Sequence, residues 1–144
     1  MSQQVSVSRV IDAPAQKIFD ILADPAMHPV IDGSDTVQKS HPSNPSRLSE
    51  GAKFGMNMRM GLPYRIKNTV VEFEEGRRIA WRHFGRHRWR YELEPADGGT
   101  KVTETFDYSF ARIPAVIDAL GFPKKHPAGM EATLERLERE ATKG

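Results

Sequence analysis

The sequence predicts an α+β fold in which one strongly curved antiparallel sheet is covered by helices drawn from the two ends of the chain. Three observations predict it. The middle of the chain is a series of short segments that alternate apolar and polar residues. The Gly- and Pro-containing turns between them are too short for a parallel crossover, so neighbours must be antiparallel. Helical periodicity is confined to a segment after the first strand and to the last third. A chain of 144 residues buries about 68–70% of its unfolded surface, so one domain spanning residues 1–144 is expected. The concave face of such a sheet can wrap around the last helix and leave an apolar cavity.

Val5, Val7 and Ile11 share one parity against Ser6 and Ser8, which makes the opening segment a half-buried strand ending near Ile11. Pro14 suits a first helical position, and Ala15, Ile18, Phe19 and Leu22 recur along one helical face until Asp24-Pro25 stops it. Residues 25–29 allow at most one further short turn of helix, and Asp32-Gly33 bends the chain into a short strand around Thr36 to Lys39. From Ser40 to Gly51, prolines, serines and the near absence of large apolar groups predict a mobile surface loop, a candidate lid. Strand periodicity then covers roughly Lys53–Met60, Tyr64–Glu74, Arg78–Phe84, His87–Glu94 and Lys101–Phe110. Gly61-Leu62-Pro63, Glu75-Gly76, Phe84-Gly85-Arg86 and Asp97-Gly98-Gly99 supply the turns. In the strand over 64–74 the parity of Ile66, Asn68 and Val70 competes with that of Thr69, Val71 and Phe73, and the pattern leaves its inward face open. Pro114 opens and Gly121 closes a predicted helix, and Pro123 and Pro127 enforce a break. Met130, Leu134, Leu137 and Ala141 form the apolar stripe of a longer final helix, whose acids are mostly its solvated face.

Composition removes several classes of function. With no cysteine, disulfide scaffolds, thiolate nucleophiles and Cys-based metal centres are excluded. No apolar run approaches the ~18–20 residues of a membrane span, and the polar start Met1-Ser2-Gln3-Gln4 lacks the greasy core of a signal peptide, so a cytoplasmic protein without integral membrane association is expected. The net charge of +2 is too small to imply nucleic acid. Six arginines between Arg77 and Arg90 are met by no acid in that stretch, but Trp89 and Tyr91 alternate away from Arg88 and Arg90, so a solvated strand face is expected and no nucleic-acid partner. Five histidines without a helical His-x-x-x-His pair give no metal site, although His28, near Asp32 and Asp35, could be taken for a ligand or a general base.

Chemistry concentrates on one parity of the central strands. His87, Trp89, Tyr91 and Leu93 face one way and Arg88, Arg90, Glu92 and Glu94 the other. A turn centred on Phe84-Gly85-Arg86 sets His83 opposite His87 and Trp81 opposite Trp89, because register follows the hydrophobic pattern where one face is buried. Across Asp97-Gly98-Gly99, the parity of Val102, Phe106, Tyr108 and Phe110 also carries Glu104, which brings Tyr91 near Glu104 and His87 near Tyr108. A carboxylate, two imidazoles and two phenols among apolar groups can shift their pKa values enough for acid–base work, or can orient a polar ligand head. The bland alternative is a glutamate paired with a tyrosine hydroxyl and histidines at the rim. Met56, Met58 and Met60 alternate on another strand and suit either a soft pocket wall or ordinary core packing.

Two runs of residues also resemble a known family. Ser8-Arg9-Val10-Ile11-Asp12-Ala13-Pro14, followed by Phe19-Asp20-Ile21-Leu22-Ala23-Asp24-Pro25 and the stretch from His28 to Gly33, is similar to the opening of the polyketide cyclase/dehydrase-like branch of the START-like helix-grip superfamily (SRPBCC). So is the run from Trp81-Arg82 through Trp89-Arg90-Tyr91-Glu92-Leu93-Glu94-Pro95 to Gly98-Gly99-Thr100-Lys101-Val102-Thr103-Glu104-Thr105-Phe106-Asp107. The resemblance implies a helix-grip fold and a cavity for a small hydrophobic molecule, lipid or polyketide-like, bound without a cofactor. Met56, Met58, Met60, Trp81, Trp89 and Phe106 would then give contact area, and His83, Tyr91, Glu104 and Tyr108 would orient the polar end. Two alternatives stay open. One is a cyclase or dehydratase with Glu104, His83 or His87 as proton acceptor and Tyr91 stabilising the enolate. The other is an interaction module like the chaperone activators of the same superfamily. Ligand identity and oligomeric state are not legible in the sequence.

Overall fold

In a computed structural model of the chain, which describes residues 4–33, 37–41, 43–60, 62–82, 87–109 and 122–143, the alternating segments pair as expected. Side chains at 60 and 122–126 are outside that description. The strands are β1 (Gln4–Ile11), β2 (Val37–Ser40), β3 (Lys53–Met60), β4 (Leu62–Glu74), β5 (Arg78–Arg82), β6 (Arg88–Ala96) and β7 (Gly99–Asp107). They form one antiparallel sheet in the order β1-β7-β6-β5-β4-β3-β2, a meander closed at one edge by the first strand. Gly98 and Gly99 make the β6–β7 turn with φ of 89° and 140°, values that residues with a Cβ rarely adopt. The helices are α1 (Ala15–Leu22), α2 (His28–Ile31) after a 3₁₀ turn at Pro25–Met27, and α3 (Phe122–Ala141).

The concave face is closed by all three helices. Met130, Leu134, Leu137 and Ala141 turn the buried stripe of α3 toward β1 and β7, while Ile18, Phe19 and Leu22 of α1 join the same core. Gly33 packs directly on α3, where its N–H donates to Thr133 Oγ1 at 2.8 Å. A Cβ there would come under 3.0 Å from Gly129 O and Thr133 N, so only glycine permits the close approach.

The competition of parities in β4 is resolved by a bulge. Val70 pairs with Trp81 but Glu72 with Ala80, so the register shifts at Val71. Asn68 and Val70 therefore point inward before the bulge and Phe73 after it, its ring edge-on to Phe19 at 5.5 Å. Glu72 is turned to the outer face.

Four expectations need correction. Residues 25–31 make a 3₁₀ turn and a short α-helix, more than the single turn expected, because Asp24 Oδ1 caps Ala26 N–H and Pro29 sits in the first turn, where no donor is needed. The loop from Ser40 to Gly51 is no lid: Leu48 is buried in the core with its N–H on Ala23 O at 2.7 Å. Asn44 bonds both Gly55 N and Gly55 O, and Arg47 joins Asp20 to Glu75. Pro123 and Pro127 do not delay the last helix, which starts at Phe122. A first-turn proline loses nothing and Pro127 forfeits one hydrogen bond near the start, which the stripe downstream outweighs.

The last correction concerns the arginine run, which is not simply solvated. Arg88 and Arg90 both bind Glu72 at 2.8 Å, and Arg90 reaches Asp107 at 3.0 Å. Burial would raise both acids, but bonds from Arg90 and Arg88 to Glu72, and from Ser109 and Arg90 to Asp107, outweigh it and hold them below the usual carboxylate range. Arg77 and Arg78 pair with Glu74 and Glu92. The helix expected from Pro114 to Gly121, and His83 with the turn after it, lie outside the described residues.

Candidate functional site

Two rows of inward side chains cross the sheet. Val7, Glu104, Tyr91, Ile79 and Phe73 are direct cross-strand partners in one row, and Val5, Phe106, Trp89, Trp81 and Val70 in the next. The expected pairings Trp81 with Trp89 and Tyr91 with Glu104 are thus both present. Alternation along the strands produces them, since directly opposed residues share a face.

The two tryptophans are register partners but belong to different clusters. Trp81 stacks on His28 at 4.6 Å and lies 5.7 Å from Phe54 and 5.6 Å from Tyr91, within the main core under α1 and α2. Trp89 instead contacts Phe106 at 4.8 Å, in a second cluster with Tyr108 and Met130 of α3. His87 joins that cluster through Phe106 at 5.1 Å. Glu104 stands on β7 between Val102 of the first cluster and Phe106 of the second, so the polar group marks their junction.

Glu104 is 2% exposed and Tyr91 5%. Burial pushes the Glu104 carboxyl well above its usual range; the bond to Tyr91 opposes this and the Asp32 carboxylate adds to it. Burial likewise raises the Tyr91 phenol, with Glu104 and Asp32 adding to the rise. Both shifts favour the protonated, neutral form of each group. Glu104 Oε1 is buried and carries no hydrogen bond, as is Asn68 Oδ1. An unmade bond at a buried polar atom costs about 1–3 kcal/mol, so the site is poised to accept a polar partner.

The remaining sequence-predicted residues divide by exposure. Met56 is a buried core residue and Met58 packs against the core at its edge, which favours core packing for the first and a wall for the second. Met60 ends β3, its side chain outside the description. Tyr108 is buried against Phe106. Two depressions formed by described residues, of about 210 and 130 Å³, are polar and lie elsewhere: one over Arg78 and Glu92, the other between β1 and α3 at Ser8 and Glu131.

His28, Asp32, Asn68 and Tyr64 were not singled out as site residues by alternation alone. His28 Nε2–H donates to Leu22 O at 2.8 Å, and burial lowers its pKa, so the ring is a neutral stacking partner for Trp81. Asp32 accepts from Val37 N–H at 2.8 Å and acts on Glu104, Tyr91 and Tyr64 through its charge. Its place after the turn of α2 is a tertiary fact; the only local signal was Asp-Gly at a bend. Among the described residues no group of three His, Asp or Glu side chains could hold a metal ion. No described helix is long and apolar enough to cross a membrane.

Comparison with known proteins agrees with this architecture. Residues 2–142 match the family model described as polyketide cyclase / dehydrase and lipid transport. An uncharacterized protein of Mycobacterium tuberculosis is 40% identical over 149 residues, covering 98% of this chain and 65% of that protein, so the chain spans about two thirds of its relative. A crystal structure of a protein from Chromobacterium violaceum superposes with a TM-score of 0.74 at 17% identity, covering 98% of this chain and 99% of that one. The solution structure of an AHSA1-like protein from Aeromonas hydrophila gives 0.62 at 19% identity, covering 95% and 90%. Such identities speak to the fold alone.

Proposed function

The chain belongs to the polyketide cyclase/dehydrase and lipid transport family, and from that premise we propose that it binds a small, largely apolar and uncharged molecule without covalent chemistry. The ligand lies against the concave face, with Met58, Trp81, Trp89 and Phe106 providing contact area and Glu104 and Tyr91 holding its polar end. One observation carries the reading: the buried, unpartnered Oε1 of Glu104 at the junction of two aromatic clusters. A neutral carboxyl can donate or accept, so it suits a hydroxyl or a carbonyl. It does not suit a carboxylate, because desolvation and the Asp32 charge already disfavour negative charge at Glu104.

The test is thermal denaturation against matched ligands, a long-chain alcohol and the fatty acid of equal length, with native mass spectrometry to identify any molecule that co-purifies. Ligand at a hundredfold excess over Kd stabilises by about 2.7 kcal/mol if it binds only the folded chain. The alcohol should raise Tm and the acid should not. A raised carboxyl beside a phenol favours a second reading, proton transfer at a carbon α to a carbonyl. Glu104→Gln separates the two, since a binder keeps its affinity for a neutral ligand while an enzyme loses turnover of a poly-β-ketone.

A further inference from the structure

Two observations converge on the β3–β4 side of the sheet, one on its outer face and one at the tip of its hairpin. Cross-strand partners share a face, so the pairs Lys39 with Asn57, Asn57 with Arg65, Gly55 with Lys67, Lys53 with Thr69 and Thr69 with Arg82 gather five cations on one outer surface. Arg59, two residues beyond Asn57 on β3, makes a sixth. All six are exposed, and among the described residues none is held in an ion pair, whereas Arg77, Arg78, Arg88 and Arg90 are matched to Glu74, Glu92, Glu72 and Asp107. The patch is about 20 Å long from Lys53 to Arg59, at ~3.3 Å per strand residue. At the far end, on the other parity as partners of Met60 and Met58, the hairpin presents Leu62, 78% exposed, and Tyr64, 38% exposed.

We propose that this surface docks the protein on a membrane rich in anionic phospholipid, with Leu62 entering the headgroup region and Lys39, Arg59, Arg65 and Lys67 contacting the lipid phosphates. Charge complementarity argues for an anionic partner, since the patch contains cations and no described acid. The apolar apex decides which one. Grooves for single-stranded nucleic acid place aromatic rings among the cations for bases to stack on. Among the described residues this outer face carries no Phe, Tyr or Trp, and the large apolar group stands at the hairpin tip, where it can penetrate a surface while the flanking cations stay at headgroup level. This inference is independent of the ligand reading above, because it uses none of the side chains assigned there to the ligand.

The experiment is co-sedimentation of the full chain with vesicles of phosphatidylcholine and with vesicles of phosphatidylcholine doped with phosphatidylglycerol, at low and high salt. The expected result is partitioning to the anionic vesicles alone, weakened by salt. R65E/K67E should lower it at least about tenfold, since each cation near an anionic surface is worth a severalfold change in partitioning. R77E/R78E, which changes net charge equally at already paired positions, should lower it much less. Leu62→Ser should cost about tenfold without altering the salt dependence, as expected for one buried leucine side chain. Equal binding to neutral vesicles, equal losses in the two double variants, or capture of a single-stranded oligonucleotide in preference to vesicles would overturn the proposal. An unchanged L62S would overturn insertion of the tip. Circular dichroism of each variant confirms that exposed positions have been changed without loss of fold.

Discussion

Glu104→Gln tests the centre of the site, because it removes a titrating proton while keeping the shape and a hydrogen bond to Tyr91. Glu104 is raised in the folded chain, first by burial and then by Asp32, against the opposing bond from Tyr91. The folded state therefore holds a proton that the unfolded state releases. Stability from this group is fully present below the ordinary carboxylate pKa and is lost as pH rises toward the folded value. Within that window one group contributes a slope of about −1.4 kcal/mol per pH unit. The glutamine variant has no such slope, so the difference in unfolding free energy, variant minus wild type, should climb by about 1.4 kcal/mol for each unit from roughly pH 4.5 upward until it reaches a plateau. Urea denaturation followed by the fluorescence of Trp81 and Trp89 at several pH values measures it. Taking the difference cancels His28, Glu72 and Asp107, which titrate alike in both proteins. A difference that is flat with pH would show that Glu104 is ionised when folded, and the reasoning from burial would fail.

Other perturbations follow from the same structure. His28 is held neutral by burial, so its own contribution to stability should be lost as pH drops below about 6.5, the unfolded histidine value; the advantage of wild type over His28→Phe, which keeps an aromatic ring for the Trp81 stack, should be about 1–3 kcal/mol at neutral pH for the orphaned Leu22 carbonyl and should shrink below that pH in urea titrations. Arg90→Met should cost about 3 kcal/mol in the same assay, because it takes the guanidinium from the buried Asp107 and leaves Glu72 with Arg88 alone, and the loss should shrink at acid pH as the two acids take up protons. Gly33→Ala should cost about 1–3 kcal/mol and loosen α2 from α3, seen as faster amide exchange in His28–Ile31, since backbone atoms of α3 must retreat.

How much of this was legible in the sequence depends on the range of the interaction involved. Period-two alternation named the strands, and the error-free alternation from His87 to Glu94, joined to the turn at Asp97-Gly98-Gly99, was enough to pair Tyr91 with Glu104 and Trp81 with Trp89. The stripe Met130, Leu134, Leu137, Ala141 likewise declared the buried side of the last helix. In each case the information is local, because the backbone period alone says which side chains share a face. Family resemblance carried the helix-grip architecture further than periodicity could.

What only the tertiary structure decided involves partners that are distant in sequence. Leu48 in a polar loop reads as surface until Ala23 and the core are beside it. The parity of β4 could not be chosen because a bulge at Val71 makes both candidates correct in turn, and nothing in a strand's own pattern announces an extra residue. The charges show it most plainly. The dense arginine run is the conspicuous cationic feature of the sequence, yet folding sets Glu72 and Asp107 against it and neutralises much of it, while Lys39, Lys53, Arg59, Arg65 and Lys67, scattered along the chain, join Arg82 of that run in a patch without ion pairs among the described residues. Coulomb interactions depend on separation in space, and a meandering sheet brings together residues tens of positions apart, so the sequence determined which charges exist and the fold decided which of them remain uncompensated.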